Sequence, residues 1–135
     1  QVVEAMAGIC DEVANGKLNE PFVAQNPALE ESPFAKNSII DFSNNINGTL
    51  LIYNGDFSAN GKGLEDLVLV TNTQLDAKIK TSHANAINAL NAITMPFGEA
   101  IIMQPVLVQN AINNINQLHD VLDTDLKNFV LQYGE

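Results

Sequence analysis

Two histidines, one cysteine and sixteen carboxylates are the side chains of widest chemical reach in this 135-residue sequence, and their spacing limits what they can do. Zinc hydrolysis on an H-E-x-x-H helix needs two imidazoles one turn apart. His83 and His119 are distant from each other and are followed by Ala84 and Asp120. Di-iron bundles use Glu-x-x-His on two helices, whereas Lys80 and Asn116 stand three residues before the histidines. Neither pattern is encoded. His119 and Asp123, one helical turn apart and close to Asp120, offer two or three weak ligands on a helix face. The run Asp120, Asp123 and Asp125 reads more simply as a solvated outer surface. His83 falls on an apolar stripe, which predicts a buried, hydrogen-bonded imidazole or one facing a second domain.

The remaining motifs are near misses. Gly55 to Gly61-Lys62 has one residue too many for a phosphate-cradling loop, and Gly63 replaces the hydroxyl that would hold magnesium. From Asp56, the residues Asp56, Ser58, Asn60 and Gly61 occupy calcium-loop positions, but Leu67 stands where the bidentate Glu belongs. No Gly-x-Ser-x-Gly occurs, and Cys10 has no histidine near it in sequence. Ala7-Gly8-Ile9-Cys10 has the outline of a lipoprotein signal, yet Ile9 stands where a small residue is required. A buried core thiol is the better reading. Asn47-Gly48-Thr49 matches a glycosylation acceptor but falls inside a helical pattern. Nothing here spells an enzyme by itself.

The elements that must position these residues follow from periodicity. Val2, Met6, Ile9 and Val13 predict a helix to about Leu18, ended by Gly16 and Pro21. Pro21, Pro27 and Pro33 predict a long loop to Asn37, and long loops in compact domains are usually functional or packed against something. Ile39, Phe42, Ile46, Leu50 and Tyr53 predict a second helix, capped by Asn37 or Ser38 and stopped by Asn54-Gly55. The composition of 54–63 is that of a turn. A third helix is predicted from Leu64 through Val68, Leu75, Ile79, His83, Ala86, Leu90 and Ile93, broken at Met95-Pro96-Phe97-Gly98. After a short apolar piece around Ile101, Val108, Ala111, Ile115, Leu118, Leu122, Leu126, Phe129 and Tyr133 form a sustained seam behind Pro105. Strand patterns are absent. The expected fold is all-α, an up-down bundle of four main helices around one core, with residues 1–135 as a single domain.

Composition narrows the partners. Sixteen acidic against six basic residues give a net charge of −10, and every basic residue is Lys. Phosphate-backbone binding would oppose that field without any bidentate guanidinium, so nucleic acid is not an expected partner. No apolar run is long enough for a transmembrane segment. Val2 is already on the first apolar stripe with no cap before it. This pattern suits a chain cut within a longer polypeptide, and equally a terminal helix that frays.

Leu29-Glu30-Glu31-Ser32-Pro33-Phe34-Ala35-Lys36-Asn37-Ser38 opens a longer pattern. It continues through Asp41-Phe42, Asn45-Ile46, Gly48, Tyr53-x-Gly55, Gly63-Leu64-Glu65-Asp66-Leu67 and Pro96-Phe97-x-x-Ala100-Ile101. In these residues the chain resembles the imelysin family of bacterial periplasmic proteins, in its C-terminal half. The resemblance implies an all-helical protein of two bundle-like halves, located in the periplasm or at the outer membrane and associated with iron uptake. It also implies a metal bound mainly by an N-terminal half that carries Gly-x-His-x-x-Glu, a signature this sequence lacks. Peptidase activity is claimed for some members, so one alternative is a share in a metallopeptidase. Another is an interaction module without a ligand. What this chain would then supply is a facing wall, with Ser32, Asn37, Ser38, Asp41 and Asn45 as its polar groups. The same residues also suit capping and dipole roles. The expected partner is the N-terminal half of the same protein or a second copy.

Overall fold

Apolar residues at steps of three and four turn one face of each segment inward, and every described element is accordingly helical. The computed structural model describes residues 2–29, 38–55 and 64–133. Its first rod joins α1 (Val2–Asp11), a π-helical segment (Glu12–Leu18) and α2 (Asn19–Ala24). The second rod is α3 (Ser38–Asn54). A short α4 (Leu64–Thr71) leads into α5 (Thr73–Asn91), the third rod. Then α6 (Phe97–Met103) caps the end, and the fourth rod runs through α7 (Pro105–Asp120), a second π segment (Val121–Leu126) and α8 (Lys127–Tyr133). At ~1.5 Å per residue this last rod is about 40 Å long. The first and third rods each pack on the second and fourth, closing an antiparallel ring. This is the expected up-down bundle.

Its core contains Met6, Cys10, Leu18, Phe42, Ile46, Phe97, Ile101, Ile115 and Leu122, all essentially inaccessible. Burial pushes the Cys10 thiol up to about 12, so it stays protonated and inert. Phe42 and Phe97 meet edge to face, with ring centroids 5.3 Å apart at 87°. That contact fixes the start of α3 against α6.

The first rod is longer than its sequence predicts. Gly16 and Pro21 do not end it; helix continues to Ala24. In a regular helix the Pro21 ring would collide with the Lys17 carbonyl and leave it without a donor. The π segment just before it widens the turn, and the Asn19 N–H reaches back five residues to the Ala14 carbonyl. The core positions Cys10, Ala14 and Leu18 step by four and four through this wide turn. Leu118, Leu122 and Leu126 do the same through the second π segment, where the Lys127 N–H reaches the Leu122 carbonyl. The rod stops where Gln25 adopts φ 54°, ψ 39°. The Gln25 side chain pins that stop, donating from Nε2 to the Phe22 and Ile101 carbonyls, each at 2.9 Å. A 3-10 turn at Pro27–Leu29 then occupies part of the expected loop.

The predicted third helix is divided. Asn72 leaves the helical region at φ −148°, ψ 84°, and its Oδ1 accepts the Leu75 N–H at 3.0 Å. An Asn that satisfies an orphan N–H of the following helix is an N-cap, and it outweighs the continuous apolar stripe. The apolar piece around Ile101 is α6. Gln104 ties it to the end of α5: Oε1 accepts the Thr94 and Met95 N–H groups at 3.2 Å, and Nε2 donates to Thr94 Oγ1 at 2.8 Å.

Candidate functional site

Ser38, Asp41 and Asn45 succeed one another on α3 at steps of three and four, so they share one face of the helix. The structure brings these three of the five sequence-derived candidates together; Ser32 and Asn37 lie outside the described residues. Ser38 is fully buried at the first position of α3. Asp41, in the first turn, and Asn45 are half-buried. A carboxylate in the first turn complements the helix dipole.

Along the same flank, Asn44, Asn45, Gly48 and Ile52 face Ile9, Glu12, Val13 and Lys17 across a groove of ≈ 300 Å³. The groove owes its first wall to the π segment. The widened turn brings residues five apart face to face, and Lys17 Nζ lies 3.5 Å from Glu12 Oε1. A Cβ at Gly48 would meet nothing within 4 Å, so the glycine leaves open space along the groove. Single π turns often mark functional stretches of helix, and this one faces Asn45 across the groove. Asn47, on the exposed side of α3, and Thr49 are both helical. Thr49 Oγ1 is buried and donates to the Ile46 carbonyl at 2.7 Å, which is not the exposed loop a glycosylation acceptor needs.

A metal test follows from the donor set. On this face of α3, Asp41 supplies one carboxylate, Ser38 a hydroxyl and Asn45 an amide, a set of hard oxygen donors too poor in charge to hold an ion unaided. Among the described residues no group of three His, Cys, Asp or Glu side chains converges. His119 Nδ1 lies 3.1 Å from its neighbour Asp120 Oδ1. The described residues therefore do not fit a self-contained metal centre.

His83 is buried on α5 as its stripe predicts, but the hydrogen-bonded reading fails at one atom: Nε2 has no partner. Burial lowers its pKa, keeping the ring neutral.

Sequence reasoning missed the main polar cluster. Tyr53 Oη donates to Asp76 Oδ1 at 2.7 Å, Lys80 Nζ lies 3.1 Å from Asp76 Oδ2, and the same ammonium contacts Glu65 Oε2 at 2.5 Å. The chain of contacts links α3, α5 and α4 at the end of the bundle where α3 stops. Desolvation, then the Asp76 carboxylate, push the Tyr53 phenol well above its ordinary range. The hydrogen bond that Lys80 donates to Glu65 raises the Lys80 pKa against a smaller desolvation effect. Asp76 and Lys80 are i, i+4 on the edge of an apolar stripe, which was the available signal.

The family model described as imelysin, peptidase M75, matches residues 1–124. The chain belongs to the imelysin family. A solved imelysin peptidase from Bacteroides ovatus is 26% identical and superposes with a TM-score of 0.80. The alignment covers 96% of this imelysin chain and 39% of the Bacteroides ovatus one. No curated protein matches. Among the described residues of this imelysin, no helix is long and apolar enough to cross a membrane.

Proposed function

We propose that this chain is the C-terminal half of an imelysin-like protein of the bacterial envelope. Here it contributes one wall of an inter-bundle site that binds a metal or an iron-related ligand during iron uptake. The observation that supports this most directly is the asymmetry of the match: nearly the whole chain aligns with less than half of a solved imelysin. The donor set points the same way, since Ser38, Asp41 and Asn45 can complete a site but not hold a metal alone. Ser32 and Asn37 precede them in sequence and belong to the same proposed wall.

The test is iron(II), iron(III) and zinc titration calorimetry on the protein as its gene encodes it. Asp41→Asn and Asn45→Ala should each weaken binding about tenfold, the scale of a supporting contact. Unchanged affinity in both variants removes this wall from the site.

A second reading follows from the Bacteroides ovatus relative, which is described as a peptidase. In that case the same wall orients a peptide beside a metal held elsewhere in the protein. Hydrolysis of varied peptides that stops on chelation would favour it, and inactivity of the metal-loaded protein would count against it.

A further inference from the structure

Two π segments interrupt the described rods, and each borders a cavity. The first walls the groove on α3. The second, Val121–Leu126, supplies Asp125 to a larger cavity of ≈ 470 Å³ between the start of α5 and the end of the fourth rod. A turn closed over five residues shifts the side chains that follow it around the helix axis, and such turns recur at functional sites. Asp125, Asn128 and Gln132 leave this one at steps of three and four, along one flank. Gln74 and Lys78 face them from α5, one turn apart. The imelysin family model ends at residue 124, so this flank lies beyond the stretch that it matches.

The lining has a chemical order. Leu75 and Phe129 are buried and form an apolar floor. Around it stands an exposed rim of four carboxamides, Asn72, Gln74, Asn128 and Gln132, a group that both donates and accepts hydrogen bonds. Asn72 is held in place, because its Oδ1 accepts the Leu75 N–H. Lys78 and Asp125 carry the charges of the described lining, and with Nζ 2.5 Å from Oδ2 each neutralises the other. An ionic ligand could approach either group only by setting its own charge against the other. A hydrocarbon would leave the desolvated amides without partners. The lining matches an uncharged molecule with hydroxyl groups around its edge and C–H groups on its face, and a sugar ring is built that way. A peptide strand fits less well, since its polar groups alternate with side chains and do not surround an apolar face. The volume lies within the usual range of small-molecule sites, about 300–1,000 Å³.

We propose that the cavity between α5 and the fourth rod binds an uncharged saccharide. One face of its ring lies on Leu75 and Phe129, and its hydroxyl groups bond to the carboxamide rim and to the Lys78–Asp125 pair. This site is separate from the wall on α3 and does not depend on the metal-binding reading.

The test is a ligand-observed NMR titration of the protein as its gene encodes it, with glucose, galactose, mannose, N-acetylglucosamine and cellobiose as probes. At least one of these sugars should bind with a dissociation constant of about 1 mM or tighter. Gln74→Ala and Asn128→Ala each remove an exposed rim amide and should weaken that binding about fivefold, the usual worth of one hydrogen bond. Asn47→Ala, on the exposed side of α3, should leave it unchanged. Absence of binding by every probe at about 10 mM overturns the proposal. Equal affinity in the unaltered protein and both rim variants places the sugar elsewhere and overturns it too. Tighter binding of inorganic phosphate, of glutamine or of a capped trialanine than of every sugar overturns the assignment to saccharides.

Discussion

The Tyr53 hydroxyl donates a 2.7 Å hydrogen bond to Asp76 Oδ1 although the two residues stand on different helices and are separated by the 54–63 segment. Both are buried, and Asp76 passes the interaction on to Lys80 and through it to Glu65. A buried carboxylate without such partners would be costly, so this relay is what lets a charge sit at the edge of the core.

Tyr53→Phe should therefore cost about 1.5–3 kcal/mol, the usual worth of a hydrogen bond to a charged group. Urea unfolding at neutral pH measures it. In a double-mutant cycle with Asp76→Asn the two losses should fall short of additivity. Full additivity would show that the pair does not act as a unit.

The raised Tyr53 phenol gives an alkaline signature. A group whose folded pKa lies above its unfolded value stabilises the fold at lower pH and loses that contribution as pH rises past the unfolded value, about 10 for tyrosine. Tyr53 should add no phenolate absorbance until the protein unfolds, and Tyr53→Phe should delete that late component. Reversible ionisation of Tyr53 in the folded state would contradict the geometry.

His83 acts at the other end of the pH scale. Its folded pKa is lowered by burial, so the unfolded chain takes up the proton first, and stability falls as pH drops below about 6.5. The melting temperature should decline between about pH 7 and about pH 5, and His83→Gln should reduce that decline. An identical decline in the variant would assign the acid sensitivity to other groups.

Gly8 lies on the exposed side of α1, where a Cβ would meet nothing within 4 Å. Gly8→Ala should stabilise the protein by about 0.5–1 kcal/mol by restricting the unfolded chain. Thermal and urea unfolding should both register the gain.

Asn72 is the cap that separates α4 from α5. Asn72→Ala should cost about 1 kcal/mol, with faster amide exchange confined to the first turn of α5. No loss would mean that the apolar stripe alone fixes the break.

How far this protein can be read from its sequence depends on the range of the interaction involved. Steps of three and four in apolar residues placed the four rods and the inward side of α3, α5 and α7, because helical periodicity is a local property. The stop at Gly55, which has φ 77°, and the start at Pro105 were likewise local backbone preferences. The candidate residues Ser38, Asp41 and Asn45 were legible as one helix face for the same reason. The groove that Asn45 lines was not, because its other wall is mostly a π segment that no local pattern announces; Pro21 looked like a terminator until the preceding turn widened to admit it. Tertiary structure alone decided that Tyr53 meets Asp76, that Asn15 donates to Asn116 at 3.2 Å across the first and fourth rods, and that Gln25 reaches the Ile101 carbonyl. Each pairs groups remote in sequence, and such pairs form only when helix packing brings their faces together. The polypeptide encodes its helices locally, whereas the partners of its polar groups are set by the ring that those helices close.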